Sequence, residues 1–514
     1  MSDPNTDNIL ELEVNDFGPI AEAKIDPRPL TVFIGPSNTG KSYLAILIYA
    51  LHRYFSSRGW PGGRRFSRSS PLLHGFEASE LAMNSINGLH EFAESLIADT
   101  EKPSLEEGIA LPGSVMDAIR SGLEEQGPYF GNEVARCFGI EEGGALIRKG
   151  GKGAARIGFR MPRKSDVAPI EHGLTIGTQD SEFNTKFPLS TELHVGAGNE
   201  DYAVKELQSL AMDMISPGGQ NEDRANFYAW RLLEVIADHF SPQIVGPLHR
   251  PAFYLPADRT GIMHAHSVVV SALIKNAAMT GLRPAAQTPM LSGVLADFLE
   301  QLINLDLRRS LRRNFQHDLD KRIERSILHG SIGVDKSETI GYPRFTYRPE
   351  RWNDSLSLMN ASSMVSELAP VVLYLRHVVG PGNVLIVEEP EAHLHPAMQV
   401  QFTRQIAAFI KNGIRVILTT HSEWVLEELS NIVHRSELST LNRDAADETK
   451  TALHPDSVGV WLFKQRKHPT GSLIQEIKLD KETGLFPTDY DFVSEELYNE
   501  SAKIFSRIQK ETVN

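Results

Sequence analysis

Cysteine is almost absent. Cys137 is the only one in 514 residues, which excludes an internal disulfide framework and any cysteine-built zinc cluster. Long apolar runs are missing as well; none approaches the roughly 18 residues that span a bilayer. The opening residues Met1-Ser2-Asp3-Pro4-Asn5 lack the basic-then-apolar layout of a signal peptide, so a cytoplasmic protein with no membrane contact is expected. Positive charge is the scarcer sign: 52 Lys and Arg stand against 66 Asp and Glu, a net charge of −14. That balance argues against a surface given over wholly to nucleic acid, which is usually basic. Local basic stripes remain open at three clusters: Arg58/Arg64/Arg65/Arg68, Arg148/Lys149/Lys152/Arg156/Arg160/Arg163/Lys164, and Arg308/Arg309/Arg312/Arg313/Lys321/Arg322/Arg325. Internal repeats, heptad arrays and long low-complexity tracts are also lacking, so no long coiled-coil arm is expected.

What is present reads as an α/β protein of several lobes. Ile9 to Val14 and Ala21 to Ile25 form strands around a turn at Asp16-Phe17-Gly18-Pro19, and Leu30 to Ile34 is a short apolar run of buried-strand type. A helix follows from Lys41 to about Phe55. Residues 57–250 read as a mixed α/β insertion with helices near 78–98, 114–126, 203–215 and 222–240. Short strands are expected there at Arg156 to Met161, Gly173 to Gly177 and Glu192 to Val195. A helical lobe covers 251–339, ending in Leu305 to Leu328, which is charged on most faces and reads as a solvated helix. Residues 340–480 hold the buried strands Val384 to Val387 and Val416 to Leu418 and a closing hairpin. Residues 481–514 form a terminal helix.

Gly35-Pro36-Ser37-Asn38-Thr39-Gly40-Lys41-Ser42 fits the full phosphate-loop pattern, with a buried strand before it and a helix after. The chemistry explains the composition. Glycines let backbone N–H groups close around a phosphate, and the helix adds its positive N-terminal end. Lys41 reaches the β and γ phosphates of ATP, and the Ser42 hydroxyl ligates Mg²⁺.

Far along the chain, Val384-Leu385-Ile386-Val387 ends in Glu388-Glu389-Pro390. Acids at the carboxyl end of a buried strand lie where ligands gather in parallel sheets. Glu388 is the candidate for Mg²⁺, directly or through water, and Glu389 for orienting or deprotonating the attacking water. His393 and His395 follow; with no third ligand evident, a structural or dimer-contact role outranks a metal role. Val416-Ile417-Leu418-Thr419-Thr420-His421 repeats the strand-to-polar design. His421 is read either as hydrogen-bonded structure or, in the company of the other motifs, as a γ-phosphate contact. Asp258 and Arg259, after a strand near Phe253 to Pro256, are the local candidates for a polar residue near the nucleotide.

In their order, these motifs resemble ABC-class ATPases of the SMC/RecF/OLD branch, in particular OLD-like bacterial AAA ATPases, here without an evident Toprim domain. The matching pieces are Asn15-Asp16-Phe17-Gly18-Pro19, the phosphate loop, Glu388-Glu389-Pro390-Glu391-Ala392-His393-Leu394-His395-Pro396 and Thr419-Thr420-His421-Ser422. The resemblance implies a P-loop NTPase head of ABC/SMC type with a mixed sheet, an N-terminal antiparallel β lobe and a largely helical insertion. Residues 1–56 and 340–480 would be the two halves of the head. It also implies a homodimer or higher homo-oligomer with ATP sandwiched between heads, where a segment at a helix start touches the γ phosphate held by the partner. The matching segment here is Asn360 to Leu368, with Ser362 and Ser363 at its centre; an ordinary helix cap is the alternative reading of the same residues. Two positions depart from the family pattern. Glu388 stands where an aspartate is usual, and Met364 where the segment normally has glycine.

Relatives in this branch point to an ATP-driven sensor or clamp acting with a separate effector protein, with DNA as another partner, in DNA repair or anti-phage defence. Two other readings stay open: a self-contained DNA-processing nuclease of OLD type, and a nucleotide-switched scaffold with little hydrolysis. Only about 90 residues follow His421, and Asp489-Tyr490-Asp491 lacks a preceding apolar strand, which weighs against a nuclease site.

Overall fold

The computed structural model describes residues 10–56, 88–94, 96–97, 109–110, 113–124, 127–161, 169–186, 192–193, 200–215, 227–229, 231–232, 235–236, 244–265, 291–305, 318–335, 343–441, 451–466, 470–480, 484–485 and 498–505. Its strands are β1 (Glu11–Phe17), β2 (Ile20–Ile25), β3 (Leu30–Ile34), β4 (Ile109–Ala110), β5 (Ala155–Met161), β6 (Ile170–Ile176), β7 (Ser181–Lys186), β8 (Glu192–Leu193), β9 (Ala252–Leu255), β10 (Gly330–Asp335), β11 (Arg344–Pro349), β12 (Leu356–Ser357), β13 (Val384–Glu388), β14 (Arg415–Thr420), β15 (Val458–Arg466) and β16 (Gly471–Ile477). The helices are α1 (Lys41–Phe55), α2 (Gly113–Glu124), α3 (Gly127–Phe138), α4 (Glu200–Ile215), α5 (Gly293–Ile303), α6 (Leu319–Ile323), α7 (Ser363–His377), α8 (Pro396–Lys411) and α9 (Glu423–Leu441).

Among the described residues, eleven strands join one mixed sheet in the order β7-β6-β5-β1-β2-β16-β15-β3-β14-β13-β9. The half β15-β3-β14-β13-β9 is parallel throughout. β3 and β13 are buried along their whole length, which is why they read as nearly continuous apolar runs, broken only by Thr31 and by the terminal Glu388, rather than as alternating ones. The other half is mainly antiparallel, and β1, β5 and β6 alternate buried and more exposed residues as a sheet solvated on one side does. The α/β class, the mixed sheet and the antiparallel N-terminal lobe expected from sequence are therefore all present. Among the described residues of the insertion, β5, β6 and β7 extend the main sheet from β1.

Because β3, β14 and β13 run parallel and adjacent, Ile34, Thr420 and Glu388 finish at the same sheet edge. The phosphate loop leaves from β3 and α1 begins directly beyond it. Two apolar clusters hold this arrangement. One centres on Phe17, Phe33, Leu44, Ile48, Phe55 and Phe159; the other on Val32, Leu368, Tyr374, Leu385, Phe402 and Leu418.

The described part of the segment read as a solvated charged helix packs inward instead. Leu319, Ile323, Ile327 and Leu328 are buried, and Asp320 and Glu324 pair with Arg376 of α7 at 2.7 Å each. The excess charge in that stretch hid an apolar stripe of helical spacing. Arg58/Arg64/Arg65/Arg68 and Arg308/Arg309/Arg312/Arg313 lie outside the described residues, as does Asp489-Tyr490-Asp491. In the middle basic cluster Arg148 is committed to Asp16 at 2.8 Å, whereas Lys149, Lys152 and Arg156 are exposed.

Candidate active site

The phosphate loop is built on backbone that side chains resist. Gly35 has φ 140°, Asn38 φ 61° and Gly40 φ 98°. A Cβ on Gly35 would stand 2.5 Å from the carbonyl oxygen of Phe463 on β15, and one on Gly40 would stand 2.8 Å from Pro19 and 2.9 Å from Ile20. Both glycines are thus demanded by conformation and by close approach of neighbouring chain. The turn Asn15 to Pro19 forms the wall behind the loop. Asp16 (φ 56°) accepts from Arg148 Nε at 2.8 Å and from the Lys152 N–H at 3.0 Å, and so fixes that wall to the insertion.

Within the loop, the Thr39 hydroxyl donates to the Pro36 carbonyl at 2.8 Å, while Pro36, Ser37 and Asn38 are exposed at its rim. Lys41 Nζ donates to the carbonyls of Gly35 and Pro36, each at 2.8 Å. Burial draws its ammonium down to about 8, against the opposing pull of Glu389 and Glu391. At pH 7 the ammonium therefore stays largely charged, the state that can pair with phosphate oxygens.

Glu388 ends β13 with its side chain buried at 8 % exposure. The Ser42 hydroxyl and the Tyr254 phenol face it, and the Ala257 N–H donates to Oε2 at 3.2 Å. Burial raises this carboxyl above the usual range, partly offset by those donors. A serine hydroxyl beside a carboxylate is the hard-oxygen donor set Mg²⁺ takes alongside phosphate and water, so Ser42 and Glu388 fit that ion.

Glu389 departs from strand geometry. Its φ is 42°, unusual for a residue with a side chain, and its N–H donates to the Thr419 carbonyl at 2.9 Å. This turn sends the carboxylate out of the sheet, half-exposed, 3.7 Å from His421 Nε2. Burial and the Lys41 charge lower His421, with Glu389 opposing, so the ring is neutral at pH 7. The sequence candidates Lys41, Ser42, Glu388, Glu389 and His421 therefore face one small volume.

Ser362 and Ser363 stand at the start of α7, both exposed. The Ser362 hydroxyl accepts the Val365 N–H at 3.4 Å, a capping contact. Met364 is partly buried against the second apolar cluster. His395 caps α8 by accepting the Ala397 N–H at 3.3 Å, and His393 is exposed at φ 61°. No group of three His, Cys, Asp or Glu suited to a metal ion occurs among the described residues.

Two side chains carry more of the site than the sequence disclosed. Glu391 Oε1 accepts both the Thr420 hydroxyl at 2.7 Å and the His421 N–H at 2.6 Å, and so sets the His421 turn. Only its place two residues after Glu389 hinted at this. Arg259 is wholly buried and holds the backbone under Glu388 and Glu389 rather than facing the loop.

Residues 299–426 match the family described as AAA ATPase domain. A search of curated proteins returns no match. Among solved structures, the chain is similar to the Smc head domain with an extended coiled coil bound to the C-terminal domain of ScpA, from Pyrococcus furiosus. The identity is 10 %, with 98 % of this chain and 99 % of that one covered and a TM-score of 0.37. It is also similar to the SMC head domain from Thermotoga maritima at 10 % identity, covering 92 % of this chain and 99 % of that one, TM-score 0.34.

Proposed function

We propose that this chain is an ATPase that binds ATP·Mg²⁺ in the loop Gly35 to Ser42 and hydrolyses it to ADP and phosphate. The observation carrying this reading is the convergence of Ser42 with Glu388, and of Lys41 with Glu389, from opposite ends of the sequence. The AAA ATPase match over residues 299–426 supports it independently, since that stretch contains Glu388 and Glu389 but not the phosphate loop. Gly35, Pro36, Ser37, Asn38, Thr39 and Gly40 line the phosphates, and Lys41 neutralises β and γ oxygens. Ser42 and Glu388 hold Mg²⁺, which supplies charge neutralisation at the phosphates. Glu389 takes the proton of the attacking water, and neutral His421 donates a hydrogen bond toward the γ phosphate.

Ser362 and Ser363 are exposed at a helix start, the geometry that binds an anion presented by a second copy. On this reading the protein is a dimerising cytoplasmic sensor or clamp whose nucleotide state controls a separate effector or DNA in repair or anti-phage defence. No described helix is long and apolar enough to cross a membrane.

Steady-state phosphate release from the purified chain with ATP and Mg²⁺ tests the proposal. Lys41→Ala is expected to abolish nucleotide binding. Glu389→Gln is expected to keep binding and slow turnover about 10²–10⁴-fold. Unchanged turnover in Glu389→Gln rejects Glu389 as the base, whereas nucleotide binding with negligible turnover in the parent favours a switched scaffold. Metal-dependent cleavage of DNA by the same preparation favours a self-contained nuclease.

A further inference from the structure

Arg259 is a fully buried charge placed between the acidic strand end and α7. Its Nη1 donates to the carbonyls of Pro256 at 3.0 Å and Glu388 at 2.6 Å, and Nη2 donates to the Glu389 carbonyl at 3.2 Å. On the other side, Nε donates to the Glu367 carbonyl at 3.2 Å, and Nη2 ion-pairs with the Glu367 carboxylate. Glu367 is also fully buried, and its second oxygen accepts the Thr260 hydroxyl. A parallel tie runs from His264 Nε2 to the Ser366 hydroxyl at 2.9 Å, which in turn donates to the Leu358 carbonyl at 3.2 Å.

Three features say that this is more than core filling. Glu389 sits at φ 42°, a conformation that persists only where its surroundings over-determine it. The peptide groups on either side of it are held from opposite directions, its N–H by Thr419 and its carbonyl by Arg259. A buried ion pair is also commonly replaceable by apolar residues at little cost in stability, so stability alone gives weak reason for one here. Finally, the guanidinium is planar and its N–H directions are fixed, so a shift of α7 at Glu367 is passed to the Glu388-Glu389 backbone rather than absorbed.

We infer that Arg259 is a positioning residue that ties the backbone of Glu389 to the start of α7 through Glu367, so that whatever touches Ser362 and Ser363 changes turnover at Glu389. The inference rests on the ATPase reading above. It assigns α7 the part of a lever: contact at its exposed start sets the aim of the base.

The test uses the full chain with Arg259→Lys, which keeps the charge and loses the fork, Glu367→Gln, which keeps the shape and loses the charge, and the double variant. Affinity is read with a fluorescent ATP analogue, kcat and KM by phosphate release, and folding by melting temperature. The expected result is an affinity within about threefold of the parent with kcat at least about tenfold lower in each single variant, and no further loss in the double. Parental kcat in a folded variant overturns the inference, as do losses that multiply in the double. A second measurement needs no variant. On monomeric parent protein, ATPγS is expected to slow amide exchange at residues 361–366; unchanged exchange with bound nucleotide also overturns it. A parent that binds no nucleotide rejects the ATPase reading and this one together, whereas normal turnover with uncoupled variants rejects this one alone.

Discussion

The hydroxyl of Ser42, second residue of α1, faces the buried carboxylate of Glu388 at the end of β13. Each lies in its own half of the chain, and β14 between β3 and β13 is what makes them neighbours. The pair defines where a divalent cation and a triphosphate meet in the proposed mechanism, and it yields the first prediction.

Glu388 carries its charge against burial. Its carboxyl is raised, so it favours the folded protein below the ordinary glutamate range, and that contribution disappears as pH rises through its folded value. Without Mg²⁺, Glu388→Gln is therefore expected to match or exceed the parent in neutral-pH denaturant melts. The same variant should need about tenfold more Mg²⁺ or above for half-maximal turnover, because a carboxylate ligand is lost. A destabilised variant with an unaltered Mg²⁺ requirement would remove Glu388 from the metal site.

Lys41 titrates in an accessible window. Below about 8 its ammonium is charged in both folded and unfolded chains, and burial makes it a cost to the fold. Between about 8 and the ordinary lysine value of 10.5 the folded protein sheds the proton first, so the cost is relieved as pH rises. The stability gap between Lys41→Met and the parent, measured by denaturant at pH values on both sides of 8, should narrow with rising pH. Nucleotide affinity of the parent should weaken over the same range, since the phosphates need the ammonium. A gap independent of pH would mean that Lys41 is solvated.

Gly40 has both a left-handed φ of 98° and neighbours at 2.8 and 2.9 Å from any added Cβ. Gly40→Ala is expected to cost roughly 1–3 kcal/mol in chemical denaturation. It should also weaken nucleotide binding, because relieving the clash moves the loop off Pro19 and Ile20. A variant as stable as the parent would show that the turn at Asn15 to Pro19 yields freely.

Ser362 and Ser363 separate capping from ligand contact. Ser362 caps α7, so Ser362→Ala should cost about 0.5–2 kcal/mol. Ser363→Ala should leave stability within about 0.5 kcal/mol. If the two heads sandwich nucleotide, Ser363→Ala also flattens the rise of specific activity with protein concentration. Identical concentration dependence in parent and variant would leave the segment as a helix cap alone.

Part of this protein is legible without coordinates because the information is local. The phosphate loop is a single bend whose glycines, lysine and serine are consecutive, and β3 and α1 on its flanks show their periods within a few residues. The stretch Val384 to Val387 ahead of Glu388 is likewise an unbroken apolar run, since a strand covered on both faces has no polar side to display. The charged stretch from Leu319 to Leu328 misled because its buried stripe is narrow and its acids are neutralised by Arg376, which lies on a different helix.

What tertiary structure alone decided is which of these local pieces meet. The strand order β3-β14-β13 brings Lys41 to Glu389, the turn at φ 42° sets the aim of Glu389, and Arg259 joins that turn to Glu367 on α7. No spacing rule encodes such pairings, because each is fixed by strand register and by the demand that a buried charge find its partner across the core.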